Sequence, residues 1–238
     1  DAASASVFDT AGIDLLLVGD SIGNTMLGLP STLAVTLEDM ERATRAVATA
    51  VHRALIVADL PFGTYEASPA QAFASAARLM KAGAHAVKFE GGARVAPQVR
   101  LIAQSGVPVF GHLGFTPQSV HAMGGARIQG KDQADVDRLT ADAERLVEAG
   151  VSAIVVELVP AGVAAALTAH LSVPIIGIGA GPDCDGQVLV WTDMAGLTAA
   201  PPRFVRTFGR AREELSAAAT AYARAVRAGA YPDQDHSY

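Results

Sequence analysis

Three carboxylates close three successive aliphatic runs. Asp20 follows Leu15-Leu16-Leu17-Val18-Gly19, Asp59 follows Ala54-Leu55-Ile56-Val57-Ala58, and Glu90 follows Ala84-His85-Ala86-Val87-Lys88-Phe89. Such runs read as strands buried on both faces, where charge has no use unless it gathers at one end. Each acid alone reads more readily as a solvated loop residue or a helix cap. Repeated at one level of successive strands, the three suit a hard divalent cation. Magnesium takes one or two carboxylates and completes its octahedron with water and substrate oxygens. Lys88 lies two residues before Glu90 and shares its face of the strand. It is either half of a buried ion pair or a point charge for a substrate carboxylate. His112 closes Val107-Pro108-Val109-Phe110-Gly111, which places it to line a site. Glu157 closes Ala153-Ile154-Val155-Val156, where a carboxylate among aliphatic neighbours suits proton transfer, or pairs structurally with a neighbouring strand's base. Gly177-Ile178-Gly179-Ala180-Gly181 lacks the lysine of a phosphate loop and runs into Asp183 and Asp185, so it reads as a tight turn with close backbone approach. Cys184 is an incidental thiol on this reading.

The elements that carry these residues repeat a joint. Gly12, Gly83, Gly106 and Gly150 each follow a helical pattern and precede an apolar run, as left-handed helix stops before short αβ loops do. Ser68-Pro69-Ala70-Gln71 reads as a capped helix start, and Thr36-Leu37-Glu38-Asp39 as a weaker one. Strands are expected near 15–20, 54–59, 86–90, 107–112, 153–157, 174–179 and 188–191, alternating with helices. That is an α/β pattern of parallel strands. Its spacing brackets the roughly 30-residue unit of a (β/α)8 TIM barrel, which typically needs about 250 residues. A flavodoxin-like open sheet competes but normally uses five strands. Seven strands is one short, and the chain begins inside a helical pattern, so a first strand and leader are expected to be absent from this sequence. Residues 1–238 then form one barrel domain, with 203–238 a C-terminal helical extension and tail.

The chain has 238 residues, half of them apolar, and a formal charge of −6. A chain of this size buries about 70–75 % of its unfolded surface and needs no disulfide or metal to fold. One cysteine excludes an internal disulfide framework and fits a reducing, cytoplasmic setting. Scattered basic residues and mild acidity argue against nucleic acid or an anionic membrane as the main partner. No apolar run is long enough to read as a transmembrane helix.

Several stretches resemble the ketopantoate (3-methyl-2-oxobutanoate) hydroxymethyltransferases: Leu17-Val18-Gly19-Asp20-Ser21, Ala58-Asp59-Leu60-Pro61-Phe62, Val87-Lys88-Phe89-Glu90-Gly91-Gly92, Gly111-His112-Leu113-Gly114-Phe115-Thr116-Pro117-Gln118-Ser119 and Ile176-Gly177-Ile178-Gly179-Ala180-Gly181. Asp185-Gly186-Gln187-Val188-Leu189-Val190 and Asp235-His236-Ser237 are similar as well. The resemblance implies a barrel of the phosphoenolpyruvate/pyruvate-like superfamily. It implies transfer of a hydroxymethyl group from 5,10-methylenetetrahydrofolate to 3-methyl-2-oxobutanoate, giving 2-dehydropantoate through a magnesium-stabilised enolate, for pantothenate and coenzyme A synthesis. It places Asp20, Asp59 and Glu90 at the magnesium, Asp20, Ser21, Asp59 and Lys88 at the oxoacid, and Glu157 as proton acceptor; beside it, His112 is a candidate polariser or relay from its place at a strand end. It also implies one magnesium per subunit and a homodecamer of two stacked pentameric rings. The rivals are an oxoacid lyase or mutase of the isocitrate lyase type and a barrel that binds metal and oxoacid without turnover.

Overall fold

The structure, a computed structural model, describes residues 1–238. The chain divides into two compact units, Asp1–Val188 and Leu189–Tyr238.

The first unit is a seven-stranded, wholly parallel sheet in chain order. Its strands are β1 (Leu15–Val18), β2 (Leu55–Asp59), β3 (Ala86–Glu90), β4 (Val109–Gly114), β5 (Ala153–Glu157), β6 (Ile175–Ile178) and β7 (Gly186–Gln187). Its helices are α1 (Ala2–Thr10), α2 (Ile22–Thr25), α3 (Leu37–Ala48), α4 (Pro69–Lys81), α5 (Ala96–Gln104), α6 (Gln133–Ala149) and α7 (Ala161–His170). The alternation of strand and helix is the expected α/β repeat. The four glycine joints all adopt positive φ, from 85° at Gly106 to 108° at Gly83, which ends each helix without a steric cost.

Two apolar layers hold the sheet. Ile56, Ala58, Val87, Phe89, Val109, Leu113, Ile154 and Val156 pack against helix positions at helical spacing, such as Met40 and Val47 of α3 and Ala72, Ala76 and Leu79 of α4. The opposite face carries a smaller cluster, Val57, Ala86, Phe110 and Ala153, with Leu15, Leu17 and Ile176 against it. Side chains alternate along a strand, so the residues two positions beyond this cluster stand on the same face, one layer nearer the strands' C-terminal ends. Those residues are Asp59, Lys88, His112 and Val155.

Caps set the helix entries. Thr36 and Asp39 form the full reciprocal box: Asp39 N–H donates to Thr36 Oγ1 at 3.2 Å and Thr36 N–H to Asp39 Oδ2 at 3.1 Å. At α4, Ser68 Oγ accepts from Gln71 N–H at 3.1 Å, but the Gln71 side chain accepts from Ala67 N–H rather than closing the box on Ser68. Asp9 of α1 clasps the start of β2, its carboxylate accepting the backbone N–H groups of His52 (2.9 Å), Arg53 (3.1 Å) and Ala54 (2.7 Å). The bonds from His52 and Ala54 hold its pKa below the ordinary 3.8. A carboxyl depressed on folding adds stability above its unfolded pKa and loses it as pH falls through the folded one. Asp9→Asn is therefore expected to melt lower than the wild type at pH 7, with the difference narrowing at pH 3. Thermal melts at the two pH values check this, and an unchanged melting temperature at pH 7 would show that the clasp contributes nothing.

Two boundaries differ from the sequence reading. Gly186 and Gln187 pair with Ile176 and Gly177, so the last strand precedes the apolar run Val188–Val190 that was expected to form it. In the second unit, α8 (Trp191–Met194) is followed by turns and irregular chain, and α9 begins only at Ala211, running to Arg227. Helix from Arg203 is overridden because Phe208 N–H bonds Met194 O at 2.8 Å and Ala211 N–H bonds Ala195 O at 2.9 Å, pinning residues 208–211 along the end of α8. No helix of the chain is long and apolar enough to cross a membrane.

Candidate active site

Register explains which charges meet. Asp59 pairs with Lys88 across β2–β3, and Glu90 with His112 across β3–β4. Directly opposed side chains on one face lie within reach of each other. Lys88 Nζ is 3.0 Å from Asp59 Oδ1, and His112 Nδ1 is 3.6 Å from Glu90 Oε1. The Lys88–Asp59 contact is a charge pair off the angle of a hydrogen bond. Asp59 Oδ2 accepts the backbone N–H of Asp20 at 3.1 Å, which brings the β1 end into the group.

His112 is the hinge of a chain of contacts. Its Nδ1 lies 3.3 Å from Lys88 Nζ. An ammonium only donates, so Nδ1 accepts and the proton sits on Nε2. Nε2 in turn lies 3.2 Å from Glu157 Oε2, close but poorly aligned. Burial, then the Lys88 charge, holds the imidazole below its ordinary 6.5, so it is neutral at pH 7. Asp59, Lys88, His112 and Glu157 thus form one line across four strands.

The balance of charge is uneven. Asp20, Asp59, Lys88, Glu90 and His112 are each at most 5 % exposed. Burial, then the neighbouring Asp59 charge, raises Asp20 from 3.8 to about 7. Burial raises Glu90 well above its ordinary value, although Lys88 opposes it. Burial alone would pull the Lys88 ammonium down, but the charges of Asp59, Glu90 and Asp20 outweigh it and leave it raised. One ammonium therefore faces three carboxylates, with Glu157 beyond His112. Buried acids in surplus are the donor chemistry that a divalent cation satisfies. No three acidic, histidine or cysteine side chains close around a common point, so the protein supplies no complete cage. An open set of one or two carboxylates is how magnesium is held beside a substrate.

Ser21, at the start of α2, makes no cap hydrogen bond with its side chain. A Cβ built on Gly19 would lie 3.2 Å from Ser21 Oγ and 3.4 Å from Asp59 Oδ2, so the bare glycine leaves room between the two. Every site residue expected from the sequence is thus at the C-terminal ends of β1 to β5. His112 lies inside β4 rather than closing it, because the strand runs on to Gly114. Cys184 stands apart, half-buried, with its thiol pushed up by burial. In the glycine-rich turn, a Cβ on Gly181 would meet Ala161 Cβ at 2.4 Å, the close approach expected there.

Strain gathers where Glu157 ends β5. Leu158 is the chain's one non-glycine residue at positive φ, 49°. Gly114, opposite Glu157 in register, has φ 88°, and a Cβ there would lie 2.1 Å from Glu157 O. Gly114→Ala is expected to lower stability by about 3 kcal/mol, the sum of left-handed strain and a backbone clash, and to cut turnover by displacing Glu157. Calorimetry with steady-state kinetics tests it; wild-type kinetics in the variant would separate Gly114 from the site.

Two residues that the sequence reading did not place in the site belong to it. Gln118 hydrogen-bonds Asp20, Leu60, Tyr65 and Glu90, and Tyr65 reaches Gln118 from the loop after β2. Gln118 lies in a stretch that carries the family resemblance, but an amide or a phenol in a loop has no periodic signal to mark it.

The chain is similar to known proteins along its length. The family model for ketopantoate hydroxymethyltransferase matches residues 1–234. A 3-methyl-2-oxobutanoate hydroxymethyltransferase of Acidothermus cellulolyticus is 58 % identical over 240 residues, covering 100 % of this chain and 88 % of the relative. One from Thermobifida fusca is 54 % identical over 239 residues, covering 100 % and 85 %. Among solved structures, a phosphonopyruvate hydrolase complexed with oxalate and magnesium superposes with a TM-score of 0.61 at 16 % identity, covering 99 % of this chain and 85 % of that one. A phosphoenolpyruvate phosphomutase from Streptomyces platensis subsp. rosaceus gives 0.62 at 14 % identity, covering 96 % and 81 %. These two likenesses show the fold alone, a parallel α/β barrel of the TIM type. From the match along its length and the identity to both relatives, the chain belongs to the ketopantoate hydroxymethyltransferase family of transferases.

Proposed function

We propose that this chain hydroxymethylates 3-methyl-2-oxobutanoate at C3, taking the one-carbon unit from 5,10-methylenetetrahydrofolate and giving 2-dehydropantoate (ketopantoate) for pantothenate synthesis. Oxoacid, methylenetetrahydrofolate and water yield ketopantoate and tetrahydrofolate, so the atoms balance without a redox partner. The observation that carries the reading is the line Asp59–Lys88–His112–Glu157, which puts a cation and a carboxylate base at opposite ends of one neutral imidazole.

Asp20, Asp59 and Glu90 would hold magnesium. Bound there, the ion supplies Lewis-acid stabilisation of the ketone oxygen as negative charge develops. The protein's own groups do the rest. Lys88 and the Ser21 hydroxyl hold the substrate carboxylate, and Asp59 fixes the ammonium that makes that contact. Glu157 takes the proton from C3, leaving the electron pair in the enolate. Water breaks the two C–N bonds that hold the donor's methylene, leaving that carbon as formaldehyde and returning two protons to the folate nitrogens. The nucleophilic carbon then bonds to it, and the proton held by Glu157 passes to the new alkoxide. His112 orients Glu157 through Nε2 and, being neutral, can relay the proton. On the family resemblance the reading extends to a cytoplasmic homodecamer with one magnesium per subunit.

The test follows C3 of the oxoacid by proton NMR in heavy water with magnesium, then adds methylenetetrahydrofolate. Exchange of the C3 proton followed by ketopantoate is the expected result. Oxoacid that binds without exchange would make the protein a binding barrel. Cleavage of isocitrate-like acids would make it a lyase, for which the raised Cys184 thiol offers no reactive thiolate.

A further inference from the structure

One residue ties together the ends of four consecutive strands. Gln118 lies in the single turn Pro117–Ser119 beyond β4 and is 7 % exposed. Its amide nitrogen donates to Asp20 Oδ2 at 2.8 Å, beyond β1, and to Leu60 O at 3.0 Å, beyond β2. Its backbone N–H donates to Glu90 Oε2 at 3.0 Å, the last residue of β3. Its amide oxygen accepts the Tyr65 hydroxyl at 2.6 Å.

That amide has one orientation. Both N–H groups and the carbonyl oxygen are in use, and a flip would set Oε1 against a carboxylate and a carbonyl, repelling both. Tyr65 enforces the choice. It is fully buried, its ring centroid 5.0 Å from that of Phe89. Burial pushes its hydroxyl pKa up, so it remains a donor. A hydroxyl has one proton, and the 2.6 Å contact to Gln118 takes it. The Tyr65 oxygen then accepts the Glu90 N–H at 3.3 Å.

Asp20 is left with Oδ2 committed and Oδ1 free of hydrogen bonds. Glu90 is likewise held by Oε2. We propose that Gln118, locked in orientation by Tyr65, is a positioning residue: it fixes the carboxylates of Asp20 and Glu90 in the pose in which they receive a divalent cation. The inference rests on the assignment of those acids to a metal under the proposed function. Partners of this kind, one bond away from the groups that hold a metal, typically govern its affinity ten- to a hundredfold.

The test measures binding of Mn2+ alone, by the electron paramagnetic resonance signal of the free ion, with no turnover required. Gln118→Met keeps the volume and removes the amide. It is expected to weaken Mn2+ binding about ten- to a hundredfold. Tyr65→Phe removes only the lock and keeps the core ring, so it serves if the first variant folds poorly; a several-fold loss with a wild-type circular dichroism spectrum is expected. In an Asp20→Asn background most of the Gln118→Met effect should vanish, because the two act through one carboxylate. A folded Gln118→Met or Tyr65→Phe protein that binds Mn2+ as the wild type does overturns the inference and leaves the metal reading standing. So does a loss that persists undiminished beside Asp20→Asn. A wild-type protein that binds no Mn2+ overturns the metal reading itself, and this role with it.

Discussion

Lys88→Met is expected to destabilise the protein by about 3–5 kcal/mol near pH 8, the usual cost of removing one partner from a buried charge pair. The site explains why the figure belongs at the high end of single substitutions. Lys88 is the one ammonium among Asp20, Asp59 and Glu90, and methionine of similar length leaves those carboxylates buried without it. The loss should depend on pH in a definite direction. Asp20 and Glu90 have folded pKa values raised above their unfolded ones, so the stability they contribute is present below the unfolded values, near 4, and is lost as pH rises through the folded ones, about 7 for Asp20. Lys88 lowers both, so its removal moves the loss to higher pH and lets the protonated site persist. Denaturant titrations should therefore show the gap between variant and wild type narrowing from pH 8 to pH 5. On the proposed function the oxoacid KM rises as well, and Lys88→Arg, with a larger planar cation, restores part of the stability and little of the KM. A gap that is constant across that pH range would show that the ammonium does not compensate these acids.

The face on which these residues stand was legible in the chain, and their pairing was not. Buried strands advertise themselves as aliphatic runs, so β1 to β6 lie close to where the runs are, and the two-residue spacing of Lys88 and Glu90 is enough to put them on one side. Register is different. It is set by how helices such as α3 and α4 pack outside the sheet, and no local pattern says that Asp59 stands opposite Lys88, or Glu90 opposite His112. The unevenness of charge follows from register, so it was out of reach too. Loops were the other loss. Gln118 and Tyr65 are bound to the site by hydrogen bonds from single turns, where residue type alone carries no periodicity. The late helix failed for a related reason. Residues 203–210 have helix-forming neighbours, yet backbone bonds from Phe208 and Ala211 to α8 and its end hold this stretch out of helix. Local propensity loses to a tertiary hydrogen bond in each such case.

Glu157→Gln is expected to slow C3 proton exchange about a hundred- to ten-thousandfold, the range for loss of a positioned general base. The amide is the same size, and its oxygen can still face His112 Nε2, so the fold and the imidazole tautomer should survive. Glu157 touches neither Lys88, which on the proposed function holds the substrate carboxylate, nor Asp59, which fixes that ammonium, so oxoacid affinity should stay within a few-fold. This split between a lost rate and a kept affinity is what distinguishes a base from a structural ion pair, whose removal would disturb both. A second variant sharpens the assignment. Glu157→Ala opens space beside His112, and added formate should restore part of the exchange there but none in the glutamine variant, which leaves no room for it. His112→Asn should lose less than Glu157→Gln, because it removes the group that orients the base and leaves the base. If exchange instead survives in Glu157→Gln and disappears in His112→Asn, the proton goes to the imidazole. His112 is chemically able to take it, since burial and the Lys88 charge keep it neutral at pH 7, and the line of contacts from Asp59 would then end one residue earlier.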